Sequence, residues 1–430
     1  MVYMSTFKYI DDELFCEGVS LSEIAGEVGT PCYIYSRERL ESNFRSIEDP
    51  LFGNDHLICY AVKANGNLNI IKILAEYGCG ADVVSGGELE LAIRAHVPPH
   101  KIVFAGVGKT DREIQKAIHQ KILSINVESF EEIKIVDNIA GKMGEEAHVA
   151  IRINPDVHIE SHPHIVTGIK EAKFGIELER AEEAFHLAAQ LPGLQVNGIH
   201  CHIGSMIMEK APFLEAAGIF ADLVKVLKKS GINLQNIDIG GGLGIDYSNI
   251  VPGETEGDHE GRKSFKPESL FKSILPLFED LNVKILFEPG RYLVADTAAL
   301  VTRVLLTKET KEKKFVVVDA GMNDLIRPSL YDSYHQIVTV TSENNDIETA
   351  NIVGPICETG DYFALDRQLP RVGRGDLLAV MAAGAYGYAL SSNYNGRLRL
   401  PEVLVDGESY RLIRNREKLE DLWREVVWDL

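Results

Sequence analysis

The sequence lacks the features of two large classes of protein. It has no basic excess, because 44 Lys and Arg residues stand against 64 Asp and Glu residues and the formal net charge is −20. A nucleic-acid-binding surface needs a basic face. It also has no long apolar run, since the least polar stretch, LLAVMAAGAYGYAL, is too short and too broken by Gly and Tyr to span a bilayer. We therefore expect neither nucleic acid nor a membrane as a partner.

Cysteine is scarce, and no Cys-x-x-C pair suggests a zinc or redox motif. The six cysteines lie far apart in the chain: Cys16, Cys32, Cys59, Cys79, Cys201 and Cys357. In a chain of this size they are typical of reduced thiols. The opening stretch, MVYMSTFKYIDDELF, has acidic residues where a signal peptide needs a basic start and an apolar core. We expect a cytoplasmic protein.

Runs rich in Val and Ile alternate with helical patterns up to residue 291, and they predict parallel strands. There are eight such runs: 57–63, 81–85, 101–106, 124–129, 148–154, 198–204, 236–241 and 284–290. Eight units over roughly 250 residues match a (β/α)8 barrel in number and length. A doubly wound sheet is the alternative, but it usually needs fewer strands.

After Arg291 the pattern changes to strands with little helix between them. Five runs carry this pattern: KKFVVVDAG, HQIVTVTSE, TANIVGPICE, DLLAVMAAG and EVLVDGESYRLI, the last with an Asp-Gly hairpin turn. The chain ends in a predicted amphipathic helix, REKLEDLWREVVWDL, and residues 252–269 form a predicted polar loop. The expected α/β fold is an N-terminal segment (1–32) packed with the β domain, a barrel (33–291) and a β-rich domain (292–430).

Polar residues cluster where the predicted barrel strands end, and active sites of such barrels lie at those ends. The set comprises Lys63, Ser85-Gly86-Gly87, Asn154, His200, His202, Gly240-Gly241-Gly242 and Glu288 to Arg291. The triple glycine follows the seventh strand, where backbone N–H groups commonly bind phosphate. An amine, a phosphate site and a carboxylate together suit pyridoxal phosphate, whose aldehyde, phosphate and ring nitrogen need those partners.

Each of these residues also has a structural explanation. Lys63 could pack its stem and extend its amine into water, and Glu288 could cap a Pro-Gly turn. His200 and His202 point to the same face of a strand, as in zinc or iron hydrolases. Such a metal site would need further His and Asp ligands at later strand ends, where this chain has GGG and EPGR. We expect no metal.

With these residues in view, almost the whole chain resembles the diaminopimelate decarboxylase family, pyridoxal-phosphate enzymes of the alanine-racemase-like fold. Nine motifs occur in the family's order: YAVKAN, DVVSGGEL, INPDVHIESHPHIVTGIKEAKFGI, GIHCHIGS, DIGGGLG, EPGR, DAGMNDLIRPSLYDSYH, GPICETGD and GAYGYALSSNYN. One departure is Met206, where the family often has Gln after HIGS. It affects a neighbouring polar contact and leaves the cofactor anchors in place.

The resemblance implies a role for each residue of the candidate site. Lys63 would bind the cofactor covalently, His200 would stack on its ring and Glu288 would pair with the ring nitrogen. The phosphate and its surroundings would be held by Ser205, Gly241, Gly242, Gly290, Arg291 and Tyr386. The substrate would be bound by Arg291, Arg327, Tyr331, Glu358 and Tyr386. Cys357 and Glu358 would enter from the other subunit of a homodimer, whose β-rich domains would contribute to the interface.

The implied reaction is decarboxylation of meso-2,6-diaminopimelate to L-lysine and CO2, the last step of lysine biosynthesis. A guanidinium such as Arg327 suits the distal carboxylate of this substrate, and Glu358 suits its distal ammonium. Cys357 would return a proton to the α carbon, with Lys63 as the alternative donor. Other candidates are a decarboxylase of carboxynorspermidine or a D-amino acid, a racemase, and a cofactor carrier without enzymatic activity.

Overall fold

The computed structural model describes residues 6–158, 173–251, 265–341 and 346–428. They form two compact units. One comprises residues 43–245 and 263–292, and the other comprises residues 1–42, 246–262 and 293–430. Among the described residues, no helix has the length and apolarity needed to cross a bilayer.

The first unit is a closed barrel of eight parallel strands, which confirms the predicted architecture. In order around the ring the strands are His56–Ala61, Gly80–Val83, Ile102–Phe104, Ser124–Val127, Ala147–Asn154, Leu194–His200, Asn236–Asp238 and Lys284–Phe287. The last strand pairs with the first through Leu286 and Leu57, and this pairing closes the ring. Most strands end two to four residues earlier than their apolar runs, so several predicted site residues, such as Lys63 and Glu288, follow the strands.

Helices surround the barrel strands in sequence. They are Leu68–Glu76, Gly86–Arg94, Asp111–Gln120, Phe130–Met143, Ala181–Gln190, Ala211–Lys229 and Pro267–Ile274, and the helix Arg37–Leu51 precedes the first strand. Four of them begin at a polar cap, Asn67, Ser85, Thr110 or Ser129, whose side chain accepts a hydrogen bond from the first turn. Ser85 therefore has a structural role that its position at a strand end did not reveal.

The second unit is rich in antiparallel sheet. Its main sheet contains Cys32–Ser36, Ala298–Glu309, Lys314–Val318, Ile337–Thr339, Ile347–Val353, Tyr362–Pro370, Leu377–Val380, Glu402–Asp406 and Ser409–Arg414. A smaller sheet contains Phe7–Ile10, Glu13–Cys16 and Val19–Ser20, and it leads into the helix Leu21–Val28. The short helix Arg327–Tyr331 belongs to this unit, and the short helix Arg291–Val294 lies where the chain passes from the barrel into it. Buried side chains such as Leu14, Ile34, Val301 and Val403 form the core of this unit.

The Asp-Gly hairpin is confirmed, because Asp406 pairs with Ser409 and Gly407 turns the chain at φ +65°. The predicted terminal amphipathic helix is wrong within the part that the structure describes, where only the 3-10 turn Leu419–Leu422 forms. Most of its apolar side chains are exposed, among them Trp423, Trp428 and Val427, the last at 98%. An amphipathic helix depends on packing of its apolar face, which this end of the chain does not provide.

The predicted polar loop at 252–269 lies mostly outside the described residues. Its last three residues belong to the helix that begins at Pro267. Proline suits the first turn of a helix because its missing N–H would have had no partner there.

Candidate active site

Lys63 lies just beyond the first barrel strand, in the 3-10 turn Val62–Ala64. Its Nζ donates a hydrogen bond to Asp82 Oδ2 at 3.1 Å, and this carboxylate is fully buried within the neighbouring strand Gly80–Val83. Burial raises the pKa of Asp82, with Glu288 adding to the effect and Lys63 opposing it. The lysine amine is thus directed at a buried carboxyl group rather than left wholly in solvent.

Glu288 and His200 form a buried pair at the ends of two other barrel strands. The distance from His200 Nε2 to Glu288 Oε2 is 3.1 Å, and both side chains are at most 3% exposed. Burial alone would raise the pKa of Glu288, but His200, Lys63 and His202 outweigh it and lower the value to about 2. Glu288 is therefore ionised at neutral pH.

A third buried carboxyl group, Asp238, lies beside this pair. A carboxylate oxygen of Asp238, a carboxylate oxygen of Glu288 and a ring nitrogen of His200 all lie within 4.8 Å of one another. Burial and the neighbouring Glu288 raise the pKa of Asp238 well above its usual value, whereas the surroundings of Glu288 lower the pKa of that group. Its Oδ1 also accepts a hydrogen bond from the backbone N–H of Gly240 at 2.8 Å.

The triple glycine forms a tight loop against two other segments of the barrel. A Cβ added to Gly241 would lie 2.1 Å from the carbonyl oxygen of Glu288, and one added to Gly242 would lie 2.3 Å from that of Gly204. Gly242 also has φ +103°, which favours glycine. Only glycine fits this loop without a backbone shift.

His202 supports the glycine loop, because Gly241 N–H donates to His202 Nδ1 at 3.2 Å. Burial, with help from Lys63 and Arg152, lowers the pKa of His202 well below its usual value, which agrees with its role as an acceptor. The two histidines therefore have different partners, His200 a carboxylate and His202 a backbone amide.

Two further predicted residues meet beside this loop. Arg291 Nη2 donates to Ser205 Oγ at 3.2 Å, and both belong to the barrel unit. Gly290 allows the turn before Arg291 to pass close to the first strand, since an added Cβ would lie 3.0 Å from Ala61 Cβ. Met206 follows Ser205 with φ +59°.

The remaining predicted residues lie in the β-rich unit. Arg327 is 4% exposed and begins the short helix that ends with Tyr331. Tyr386 has φ +56°, a conformation that is uncommon for a bulky side chain and is often found at functional sites.

Cys357 and Glu358 are exposed on one loop of the same unit. Cys357 N–H donates to Asn395 Oδ1 at 2.9 Å, and Tyr394 hydroxyl donates to Glu358 Oε2 at 2.7 Å. The base of the loop is fixed by Asp361, whose two carboxylate oxygens accept hydrogen bonds from Met322 and Ile356 N–H.

The structure therefore brings together, within the barrel unit, one group of predicted residues: Lys63, His200, Ser205, Gly241, Gly242, Glu288, Gly290 and Arg291. Arg327, Tyr331, Cys357, Glu358 and Tyr386 belong to the other unit. Sequence reasoning missed Asp82 and Asp238. Asp82 begins the motif DVVSGGEL, and Asp238 begins the motif DIGGGLG. The sequence signal for a buried acidic group was their position in otherwise apolar strands.

The barrel residues fit pyridoxal phosphate. Within the described residues, Glu288 Oε1 and His200 Nδ1 are buried and have no hydrogen-bond partner, although buried polar atoms are normally paired. An ionised carboxylate suits the protonated ring nitrogen of this cofactor, and Lys63 supplies the amine. The glycine loop lies at the position where barrels commonly bind phosphate.

A parallel barrel with these groups at its carboxyl end defines a pyridoxal-phosphate-dependent enzyme. Residues 37–295 match the family model of the pyridoxal-dependent decarboxylases, pyridoxal binding domain. The chain is 46% identical over 418 residues to diaminopimelate decarboxylase from Aquifex aeolicus, covering 97% of this chain and 96% of the relative. The chain belongs to the diaminopimelate decarboxylase family.

Solved structures agree over the same length. The diaminopimelate decarboxylase of Helicobacter pylori in complex with L-lysine has a TM-score of 0.87 and 41% identity, covering 94% of this chain and 98% of that one. The M. jannaschii enzyme in co-complex with L-lysine has a TM-score of 0.90 and 38% identity, covering 97% of each chain. The resemblance read from the motifs is confirmed.

Proposed function

We propose that this chain decarboxylates meso-2,6-diaminopimelate to L-lysine and CO2, the last step of lysine biosynthesis, with pyridoxal phosphate as cofactor. The ionised Glu288 in its buried pair with His200 carries the proposal, because it is the group that such a cofactor needs to act as an electron acceptor. Support also comes from relatives that are named diaminopimelate decarboxylase and that match nearly the full chain.

The residues of the barrel would hold the cofactor. Lys63 would bind its aldehyde, Glu288 its ring nitrogen and His200 one ring face. Ser205, Gly241, Gly242, Gly290 and Arg291 would surround the phosphate, together with Tyr386 of the β-rich unit. When bound, pyridoxal phosphate accepts electron density from the bond to the departing carboxylate. Glu288 would favour this by keeping a proton on the ring nitrogen.

The distal end of the substrate would be recognised by charge. Arg327 would bind the distal carboxylate, since a planar guanidinium can donate two parallel hydrogen bonds. Tyr331, Tyr386 and Arg291 would complete the substrate contacts, and Glu358 would bind the distal ammonium. Ornithine and lysine carry no distal carboxylate, and this difference is the basis of the expected specificity.

Cys357 would donate the proton that replaces the lost carboxylate. Its exposure on this chain, beside the equally exposed Glu358, supports a homodimer in which this loop serves the active site of the partner. The β-rich unit would then contribute to both the substrate site and the interface. All six cysteines are free thiols, which supports a reducing cytoplasmic location.

The test is release of CO2 and L-lysine from meso-diaminopimelate by the cofactor-loaded protein. Carboxynorspermidine and D-amino acids serve as comparison substrates, and formation of the other stereoisomer is followed to detect racemase activity. We expect CO2 from meso-diaminopimelate above all others. Full cofactor loading without turnover of this substrate would refute the proposed function.

A further inference from the structure

The contacts of Arg327 point to a residue without an assigned role. Arg327 Nη1 lies 2.8 Å from His335 Nε2, and His335 Nδ1 lies 2.8 Å from the carbonyl oxygen of Met381. His335 is fully buried, and Arg327 is 4% exposed. Arg327, His335 and Met381 all belong to the β-rich unit.

These two contacts determine the tautomer of His335. A carbonyl oxygen can only accept, so Nδ1 carries the hydrogen and donates it to Met381. A guanidinium can only donate, so Nε2 has no hydrogen and accepts from Arg327. The imidazole is therefore neutral, with its donor and its acceptor fixed by groups that cannot exchange roles. A second imidazole hydrogen would face the N–H of Arg327.

Two other groups help to fix the guanidinium. The Tyr247 ring lies 4.6 Å below the Arg327 guanidinium carbon and meets the His335 ring edge-on at 5.1 Å. Ser333 Oγ accepts from Arg327 Nη2 at 3.3 Å. Gln336 connects this group to the segment that carries Tyr247, because its N–H donates to Tyr247 O and its side chain accepts from Val251 N–H.

We infer that His335 is the positioning residue that orients Arg327 toward the distal carboxylate of the substrate. It would do so by occupying one edge of the guanidinium with a neutral acceptor, which fixes the orientation of the guanidinium. This inference rests on the proposed function, in which Arg327 binds that carboxylate. His335 itself would not contact the substrate.

The test compares two ligands that differ only in the carboxylate, L-lysine and 1,5-diaminopentane. Their dissociation constants are measured by calorimetry on the cofactor-loaded protein. H335Q can place its amide oxygen near the position of Nε2, whereas the shorter H335N cannot. Loss of one hydrogen bond to a charged group predicts roughly tenfold weaker L-lysine binding in H335N, with 1,5-diaminopentane changed less than about twofold. H335Q should recover most of the loss.

The outcomes separate the inference from its premise. The variant R327Q should show the same selective loss, and if wild type bound both ligands equally, the role of Arg327 and this inference would both fail. Equal affinities in H335N and H335Q, or a parallel loss for both ligands, would overturn the role of His335 alone. In kinetics with meso-diaminopimelate, H335N should raise KM more than it lowers kcat, a split that general destabilisation does not produce. Turnover of this substrate by wild type tests the proposed function separately.

Discussion

Replacement of Glu288 by Gln removes a buried negative charge while retaining the size of the side chain. The surroundings of Glu288 lower its pKa from 4.5 to about 2 despite complete burial. A shift of that size corresponds to roughly 3 kcal/mol of preference for the charged form. Removing one partner of a buried ion pair costs about 3–5 kcal/mol, because the charge that remains, here that of a protonated ring nitrogen beside the carboxylate, loses its counter-ion. E288Q should therefore slow decarboxylation by about a hundredfold or more.

The assay is CO2 release from meso-diaminopimelate by protein whose cofactor content has been measured by absorbance. E288D keeps the charge on a shorter side chain and should fall between wild type and E288Q. The absorbance spectrum of E288Q should also differ from that of wild type, because a neutral amide does not favour a protonated ring nitrogen. An E288Q variant that is fully loaded and within about threefold of the wild-type rate would refute the reasoning.

Three further predictions concern other residues. C357A should bind the cofactor normally but form L-lysine at least about tenfold more slowly, measured by coupled lysine detection, because it lacks the proposed proton donor. G241A should lower the free energy of unfolding by about 1–3 kcal/mol, measured in urea, because its Cβ would lie 2.1 Å from Glu288 O. For Glu88, burial raises the pKa to about 7. The fold favours the protonated form of Glu88, so this stabilisation is fully present below about pH 4.5 and is lost as the pH rises through 7. The free energy of unfolding of E88Q should therefore increase by about 1–2 kcal/mol relative to that of wild type between pH 5 and 8.

Two of these predictions, those for G241A and E88Q, have a matched control variant. G87A adds a methyl group with only Ser85 Oγ nearby, at 3.7 Å, and should leave stability nearly unchanged. E90Q alters an exposed carboxylate whose pKa is lowered by Lys116 and Arg94, so its effect should stay constant between pH 5 and 8. Undiminished lysine formation in C357A would assign the proton to another donor. A flat pH response in E88Q would contradict the raised pKa of Glu88.

The barrel could be predicted because each strand is a continuous apolar run that ends in a turn. The strands Ala298–Glu309 and Tyr362–Pro370 were missed for the opposite reason. The first begins among small residues and ends in exposed polar ones, and the second alternates irregularly between buried and exposed side chains. Their conformation depends on pairing with distant strands, such as Ala298 with Tyr35. Local sequence does not encode such a partner.

Some residues of the candidate site could likewise be predicted from the sequence, and others could not. Lys63, His200 and Glu288 could be found because each follows an apolar run at a barrel strand end. His335 could not be found in this way, because its role depends on two contacts that form only in the folded chain. One is with Arg327, and the other is with the carbonyl oxygen of Met381, which fixes the tautomer of His335. The polar character of Ser85 suggested a site, but it caps a helix. Sequence identifies groups capable of chemistry, and only their partners decide their roles.

The most direct test of the account is reduction of the cofactor-loaded protein with borohydride, followed by peptide mass analysis. Lys63 directs its amine toward buried Asp82 at the carboxyl end of the barrel. We predict that the absorbance of the bound cofactor disappears on reduction and that a single peptide, the one containing Lys63, carries the added mass. A protein that stays colourless with pyridoxal phosphate, or a label on another lysine such as the buried Lys109, would contradict the account.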